Sequence, residues 1–287
     1  MKNVDIITFD AALKQINEKM KLDNKNLILS GFNRLNEIKQ GWFNGELCVI
    51  GGRPSMGKTG FILSVISYIL NKNIPVSLFT ATDKLNERFL TRIITNLNLE
   101  GQDDKEQSKL LSAIDLTHIP LFLNSQHNMT IEYIKVNSSI LVNNYGIKCI
   151  FIEDLQSIFY SEINGVTKEG MEYVCHELKK LARDLNVPII VTSDLNRTVE
   201  RREGVSEKEP ILSDLYGSSA IENVADSVIL LHRPEYYRIY QDEKGNDLRN
   251  IIEIKIKKNR NRHIGDVIYK FNHNIGRVEE FGDIILE

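Results

Sequence analysis

The sequence predicts an α/β fold in which a mostly parallel, twisted sheet carries helices on both faces and ends in an antiparallel hairpin. From Gly31 onward, short apolar runs of strand length alternate with longer amphipathic stretches, the pattern of strands alternating with helices. The last two apolar runs are instead joined by the short basic turn NRNRHIG, a connection typical of an antiparallel pair. We therefore expect a mixed sheet.

The elements follow in chain order. Residues 9–21 (FDAALKQINEKMK) have helical apolar spacing, and the polar stretch LDNKN after them is typical of a linker, so we expect a helix and linker over residues 1–29 and the main domain over residues 30–287. The clearest later helix is predicted at residues 171–186, which place their leucines on one face, with Pro188 closing it. Strands are predicted at residues 46–51, 76–81, 121–123, 149–152, 188–192, 227–232, 251–257 and 266–272.

Composition limits the function classes. Of 287 residues, 42% are hydrophobic, enough to fill a core. The net charge of -3 shows no basic excess of the kind usual in proteins that neutralise many phosphates, so any nucleic-acid contact is expected to be local. The three cysteines are too scattered for a disulfide framework or a zinc cluster. Because the chain has neither an apolar run of membrane-spanning length nor a secretory signal, we expect a cytoplasmic protein with no membrane partner.

The most specific motif is GRPSMGKT at residues 52–59, which fits the pattern G-x-x-x-x-G-K-[ST] between a predicted strand and an amphipathic helix. Its glycines let backbone N–H groups curl around an anion, and the helix amino terminus adds its positive dipole end. Lys58 is expected to reach the β- and γ-phosphates of ATP, and Thr59 to bind Mg²⁺. The predicted nucleotide-binding residues here are Gly52, Arg53, Pro54, Ser55, Met56, Gly57, Lys58, Thr59 and Gly60.

Hydrolysis also needs an acidic group after a strand to hold magnesium, and the stretch IFIEDLQ supplies Glu153 and Asp154 directly after an apolar run. Either carboxylate is suited to the metal. The alternative is a solvated acidic pair at a strand end.

At this loop the chain resembles the motor domain of DnaB-type replicative helicases, whose loop carries the same RPSMGKT string. The segments SGFNRLNEIKQGWFNGEL, HELKKLARDLNVPIIVTSDLNR, SDLYGSSAIENVADSVILLHRPEYY and KKNRNRHIG resemble other parts of the family in the same order, so the resemblance runs from about Ser30 to the carboxyl terminus. It implies a RecA-like P-loop NTPase fold, ATP and Mg²⁺ as cofactors, and single-stranded DNA as partner. It also implies self-assembly as a homohexamer, ring or filament, with a primase or helicase loader as further candidate partners. The family's N-terminal helical domain has no counterpart, and residues 1–26 leave room only for something like its linker helix.

Three hydrolytic positions depart from the family. The metal position falls on Glu153 when the chain is aligned on LQ, with Asp154 as an unexpected neighbour. The family's general base, a Glu, falls on Asp83 or on Thr82 according to how the strand is matched; Thr82 cannot accept the proton, and Asp83 can alternatively cap a helix. Asp194 replaces the Gln that acts as a polar sensor beside the γ-phosphate, where an acid repels the phosphate unless a cation intervenes.

Lys258 and Arg260 match the Lys-x-Arg pair that in this family lies on a hairpin and completes the neighbouring subunit's site as an arginine finger. The alternative is a basic, solvated hairpin.

DNA contact in the family comes from channel-facing loops, including the stretch matching residues 214–222. Here Tyr216 is suited to stacking on a base, Gly217 and Ser219 to donating to phosphates, and Arg197 to contacting the DNA backbone. An exposed loop that binds nothing is the alternative.

Three functions follow from the resemblance. The first is an ATP-dependent helicase or translocase on single-stranded DNA. The second is a DnaB-like module that binds nucleotide, hydrolyses it poorly and acts in replication assembly. The third, which the long distal match disfavours, is a RecA-like recombinase or regulatory ATPase.

Overall fold

The protein was analysed as a computed structural model that describes residues 27–81, 92, 94–95, 119–159, 167–204, 206–260 and 262–281. The predicted helix at residues 9–21 lies outside these ranges. In chain order the helices and strands are α1 (Asn33–Lys39), β1 (Leu47–Gly52), α2 (Lys58–Asn71), β2 (Val76–Ala81), β3 (Leu121–Gln126), α3 (Ile131–Tyr145), β4 (Cys149–Glu153), α4 (Lys168–Leu185), β5 (Ile189–Asp194), α5 (Ser218–Val224), β6 (Ser227–His232), β7 (Ile251–Asn259), β8 (Gly265–Asn272) and β9 (Arg277–Glu279).

All nine of these strands belong to one sheet, in the order β3-β2-β4-β5-β1-β6-β7-β8-β9. The pairs from β3 across to β6 are parallel, and the pairs β6–β7, β7–β8 and β8–β9 are antiparallel. The predicted mixed sheet is therefore confirmed.

Strand β1 shows why these apolar runs form central strands. It lies between β5 and β6, and its six residues are all buried. Leu47 and Val49 pack into the core on one face, with α3, α4 and α5, whereas Cys48 and Ile50 pack into the core on the other face, with α1 and α2. Because alternate side chains of a strand point to opposite faces, a strand covered on both sides has to be apolar throughout.

Several boundaries differ from the sequence prediction. β9 was not predicted, because Val278 is its only apolar residue. Helix α4 begins three residues before the predicted start, where the Thr167 side chain accepts from the Gly170 N–H, and it ends one residue early, with Asn186 in the left-handed conformation. The folded unit also reaches slightly further toward the amino terminus, because Ile28 is buried and pairs with Trp42.

A buried ion pair joins the end of α1 to the start of β1. Lys39 is 1% exposed and Glu46 is 6% exposed, and the Lys39 Nζ lies 2.6 Å from the Glu46 Oε1. Lys39 also donates to the Gly41 carbonyl oxygen, and Glu46 accepts from the Phe43 N–H and the Ser227 hydroxyl. The carboxylate is thus fully satisfied, as a buried charge requires.

Candidate functional site

The candidate site lies where several parallel strands end at the same edge of the sheet. The strand register places Gly52, at the end of β1, beside Asp194, at the end of β5. Glu153 ends β4, which pairs with β5 on its other side. Ligand sites in open α/β sheets lie outside the carboxyl ends of the strands, so this edge is where a nucleotide site is expected.

The phosphate-binding loop, residues 52–59, connects β1 to α2. Ser55 and Gly57 have φ angles of 67° and 96°, and Gly57 is the residue before the helix. A Cβ at Gly57 would lie 2.8 Å from the Phe271 ring, so glycine is required there for both backbone conformation and space. The N–H groups of Lys58, Thr59 and Gly60, at the start of α2, have no partners within the helix, which leaves them available to an anion.

A cavity of about 750 Å³ opens over this loop and the first turn of α2. On the loop side it is lined by Ser55, Gly57, Lys58, Thr59 and Gly60. On the opposite side it is lined by Arg92, Thr95, Arg233, Phe271, His273, Asn274, Ile275 and Gly276.

Five of the predicted nucleotide-binding residues do not line the cavity: Gly52, Arg53, Pro54, Met56 and Asp194. The Arg53 guanidinium points to Glu200, at 2.7 Å, and to the Leu195 carbonyl oxygen. The Met56 side chain is buried in the core. These two side chains therefore anchor the loop to its surroundings.

The two carboxylates predicted to hold magnesium, Glu153 and Asp154, have different partners in the structure. The Thr59 hydroxyl donates to the Glu153 Oε1, and the Glu153 Oε2 is buried without a hydrogen-bond partner. Asp154 instead caps a short 3-10 turn, accepting from the N–H and the hydroxyl of Ser157 at 2.8 and 2.9 Å. A hydroxyl beside a carboxylate with an unused oxygen suits Mg²⁺, which prefers oxygen ligands, so the geometry favours Glu153 over Asp154 for that role.

Asp194 forms an ion pair with the lysine of the loop. Its Oδ1 lies 2.8 Å from the Lys58 Nζ, which also donates to the Gly52 carbonyl oxygen at 2.8 Å. Gln156 holds the Asp194 backbone: its Oε1 accepts from the Asp194 N–H, and its Nε2 donates to the Ser193 hydroxyl. The sequence did not predict this pair.

The wall opposite the loop is built by residues that sequence reasoning did not assign to the site. The Arg233 guanidinium lies 4.3 Å from the centre of the Phe271 ring and donates to the Ser55 carbonyl oxygen. Glu235 contacts both Arg233 and His273. Burial raises the pKa of Glu235, but hydrogen bonds from the Asn250 N–H, Arg233 and His273 outweigh it and lower the pKa below its usual value, which keeps this carboxylate ionised.

The predicted arginine finger lies at the far end of the sheet from the loop. The Arg260 N–H donates to the Asp226 carbonyl oxygen, and the Asp226 N–H donates to the Leu47 carbonyl oxygen, at the start of β1. The loop begins at the other end of β1, roughly 17 Å away at about 3.3 Å per residue. Lys258 donates to the Glu222 carbonyl oxygen at the end of α5, and burial together with the neighbouring Arg260 lowers its pKa. Neither side chain serves the loop of its own subunit.

The residues predicted to contact DNA come together on one surface. Leu195 and Leu215 form a β-bridge, and the Tyr216 N–H donates to the Asp194 carbonyl oxygen, so the two segments run side by side. Arg197, Tyr216 and Ser219 are exposed there. The stretch at residues 214–222 is not a continuous loop as expected, because α5 begins directly after Gly217, so Ser219 lies in its first turn.

The two candidates for the general base, Thr82 and Asp83, follow β2 in the sequence and lie outside the described residues. Among the residues that the structure does describe, no helix is both long and apolar enough to cross a membrane.

Sequence comparison identifies relatives of this chain. The family model of the DnaB-like helicase C-terminal domain matches residues 28–280. A probable replicative DNA helicase of Trieres chinensis is 32% identical and aligns with 100% of this chain and 65% of its own length. The replicative DNA helicase DnaB of Geobacillus stearothermophilus is 30% identical over 85% of this chain and 54% of its own length. The chain thus spans less than two thirds of the length of these relatives.

Two solved structures have a fold similar to that of this chain. A DnaB-like replicative helicase, studied with its interactions with primase, is 26% identical with a TM-score of 0.78, covering 97% of this chain and 68% of the helicase. A second solved structure, an ATPase domain, is 25% identical with a TM-score of 0.79, covering 97% of this chain and 100% of that domain. The RecA-like fold expected from the sequence is confirmed by these neighbours. Since the family model covers most of the sequence and the fold recurs in both structures, the chain belongs to the DnaB-like helicase C-terminal domain family.

Proposed function

We propose that this chain is an ATP-hydrolysing motor domain that moves on single-stranded DNA as a ring of identical subunits. The observation that carries the proposal is the placement of Lys58 and Thr59 at the head of α2, on the floor of the cavity, with Glu153 against the Thr59 hydroxyl. This arrangement provides a cation for phosphates and oxygen ligands for magnesium at one point.

Each residue has a distinct role in this proposal. The backbone N–H groups of the first turn of α2 and the Lys58 ammonium bind the phosphates, and Thr59 and Glu153 hold Mg²⁺. Held there, Mg²⁺ would supply positive charge to offset the negative charge that develops on the phosphates during transfer. The wall containing Arg233 and Phe271 packs against Ser55 and Gly57 of the loop and forms the side of the cavity opposite Lys58 and Thr59.

Assembly completes the site in this proposal. Arg260, which lies at the wrong end of the sheet for its own loop, approaches the loop of a neighbouring subunit and stabilises the charge on the transferring phosphoryl group. The surface carrying Arg197, Tyr216 and Ser219 faces the DNA. By similarity to the helicase studied with primase, a primase is the proposed protein partner.

The test is steady-state ATP hydrolysis with and without single-stranded DNA, together with unwinding of a forked duplex and native mass across a concentration series. We expect magnesium-dependent turnover that DNA stimulates. Lys58→Ala should lower turnover about a hundredfold or more, because a preorganised charge at the phosphates is lost. Lys72→Ala is the matched control, since Lys72 is an exposed lysine beyond the other end of α2, and should retain activity.

Two acid variants test the metal assignment in the same assay. Glu153→Gln should abolish magnesium-dependent turnover, whereas Asp154→Asn should retain most of it, because Asp154 caps the turn at Ser157. Turnover of the unmodified chain no higher than that of Lys58→Ala would contradict the motor proposal and favour a module that binds nucleotide without hydrolysing it.

A further inference from the structure

The ammonium group expected to bind the outer phosphates of a nucleotide is held by an acid of the same chain. The Lys58 side chain is 13% exposed, and its Nζ has two close partners, the Gly52 carbonyl oxygen and the Asp194 carboxylate, each at 2.8 Å. A third oxygen, the Arg53 carbonyl, is at 3.4 Å. The Lys58 ammonium is therefore already hydrogen-bonded to oxygen atoms of the protein itself.

Asp194 is fixed in this position by the sheet. It ends β5 in register with Gly52, and its N–H donates to Gln156 at 3.0 Å while its carbonyl oxygen accepts from the Tyr216 N–H. Because the main chain of Asp194 is bonded on both sides, moving its carboxylate away from Lys58 requires a side-chain rotation, which is possible since the side chain is 41% exposed.

The contacts of Lys58 affect a bound nucleoside diphosphate and a bound nucleoside triphosphate differently. An ammonium has three N–H donors; two have acceptors at 2.8 Å, and the third has only the longer contact of 3.4 Å with the Arg53 carbonyl oxygen. That third donor can turn to a β-phosphate while the pair with Asp194 stays intact. A γ-phosphate that approaches Lys58 from the side of Asp194 competes for the donor that Asp194 holds. It also brings negative charge toward the Asp194 carboxylate, and like charges at such separations oppose each other.

We propose that Asp194 determines the specificity of this site by competing with the γ-phosphate for Lys58, so that it weakens binding of nucleoside triphosphates more than binding of nucleoside diphosphates. This inference rests on the proposed nucleotide site. Asp194 is a positioning residue for Lys58 and takes no part in bond making or breaking. Its effect is to favour release of the triphosphate until contacts from a neighbouring subunit hold the γ-phosphate.

The test compares dissociation constants for ADP and for a non-hydrolysable ATP analogue, measured by titration calorimetry in excess magnesium. Asp194→Asn keeps the side-chain shape and removes the charge. We expect it to tighten binding of the ATP analogue about tenfold or more and to change ADP binding less than about threefold. Asp184→Asn makes the same chemical change on the exposed side of α4 and should leave both constants unchanged. Asp194→Gln, with thermal melting of every variant, provides a second neutral substitution in case the first folds poorly.

The outcomes separate the inference from the proposed function. A fall in the ratio of analogue to ADP dissociation constants in both neutral variants supports the inference. An unchanged ratio overturns it while leaving the nucleotide site intact. Weaker analogue binding by Asp194→Asn also overturns it, because the carboxylate would then be assisting the triphosphate through magnesium. If neither nucleotide binds to any variant, the proposed function fails and the inference fails with it.

Discussion

The proposed sharing of a site between neighbouring subunits can be tested by mixing two inactive variants. Arg260 lies near the start of β1, roughly 17 Å from the loop at the other end of the same strand, so its only route to a phosphate is through a neighbouring subunit. Arg260→Ala should therefore lower ATP turnover about a thousandfold, the scale of an arginine finger, without affecting nucleotide binding by the same subunit. Lys58→Ala should also be inactive, because its own site lacks the cation for the phosphates, although it still carries Arg260.

Mixing should restore activity. A complete site needs Lys58 from one subunit and Arg260 from the next, so random assembly of equal amounts of the two variants completes about one site in four. We expect turnover near a quarter of that of the unmodified chain. The fold should survive the change, because the Arg260–Asp226 ion pair is 3.3 Å long with Arg260 45% exposed, and such pairs contribute under about 1 kcal/mol.

The assay is steady-state phosphate release after the two variants are mixed, with native mass spectrometry to establish that mixed rings form. Arg262→Ala is the matched control, since Arg262 lies on the same turn and stacks over Phe43 at 3.4 Å. Full turnover by Arg260→Ala alone would refute the reasoning. So would mixed rings that remain inactive.

Two further predictions concern stability. Lys39→Met should lower the free energy of unfolding in urea by about 3–5 kcal/mol, because it leaves the buried Glu46 carboxylate without its counter-charge. Adding Glu46→Gln to this variant should recover much of the loss. A free energy of unfolding of Lys39→Met within about 1 kcal/mol of the parent would contradict this. Burial and the nearby Lys255 charge lower the pKa of His232 from 6.5 to about 4. Between these pH values only the unfolded chain takes up the proton, so the free energy of unfolding falls by about 3 kcal/mol as the pH drops through this range. His232→Phe should flatten this part of the stability–pH curve relative to the parent, and an unchanged slope would show that His232 is not its source.

The sequence predicted the loop and most strands because their signals are local. Eight consecutive residues carry the loop, and strands such as β1 are apolar throughout because both faces are covered. Helix α5 and strand β9 were missed, since a helix of seven residues and a strand of three carry too few apolar positions to show a period.

The far wall of the cavity could not be predicted, because no local pattern relates Phe271 or Arg233 to the loop. Their contacts with Gly57 and Ser55 arise only when the sheet brings β8 and the end of β6 beside α2. The Asp194–Lys58 pair likewise depends on strand register. The resemblance indicated the position beside the γ-phosphate but not the partner that the acid would take. The choice of Thr82 or Asp83 as general base stays a prediction.

The β8–β9 turn packs against α2, although the two segments are far apart in the sequence. The Val278 N–H donates to the Ser64 hydroxyl, 214 positions earlier in the chain, and a Cβ at Gly60 would lie 2.3 Å from the Gly276 carbonyl oxygen. During synthesis the loop therefore leaves the ribosome long before the turn that walls its cavity. The cavity over the loop therefore gains this wall only after nearly all of the chain has been synthesised.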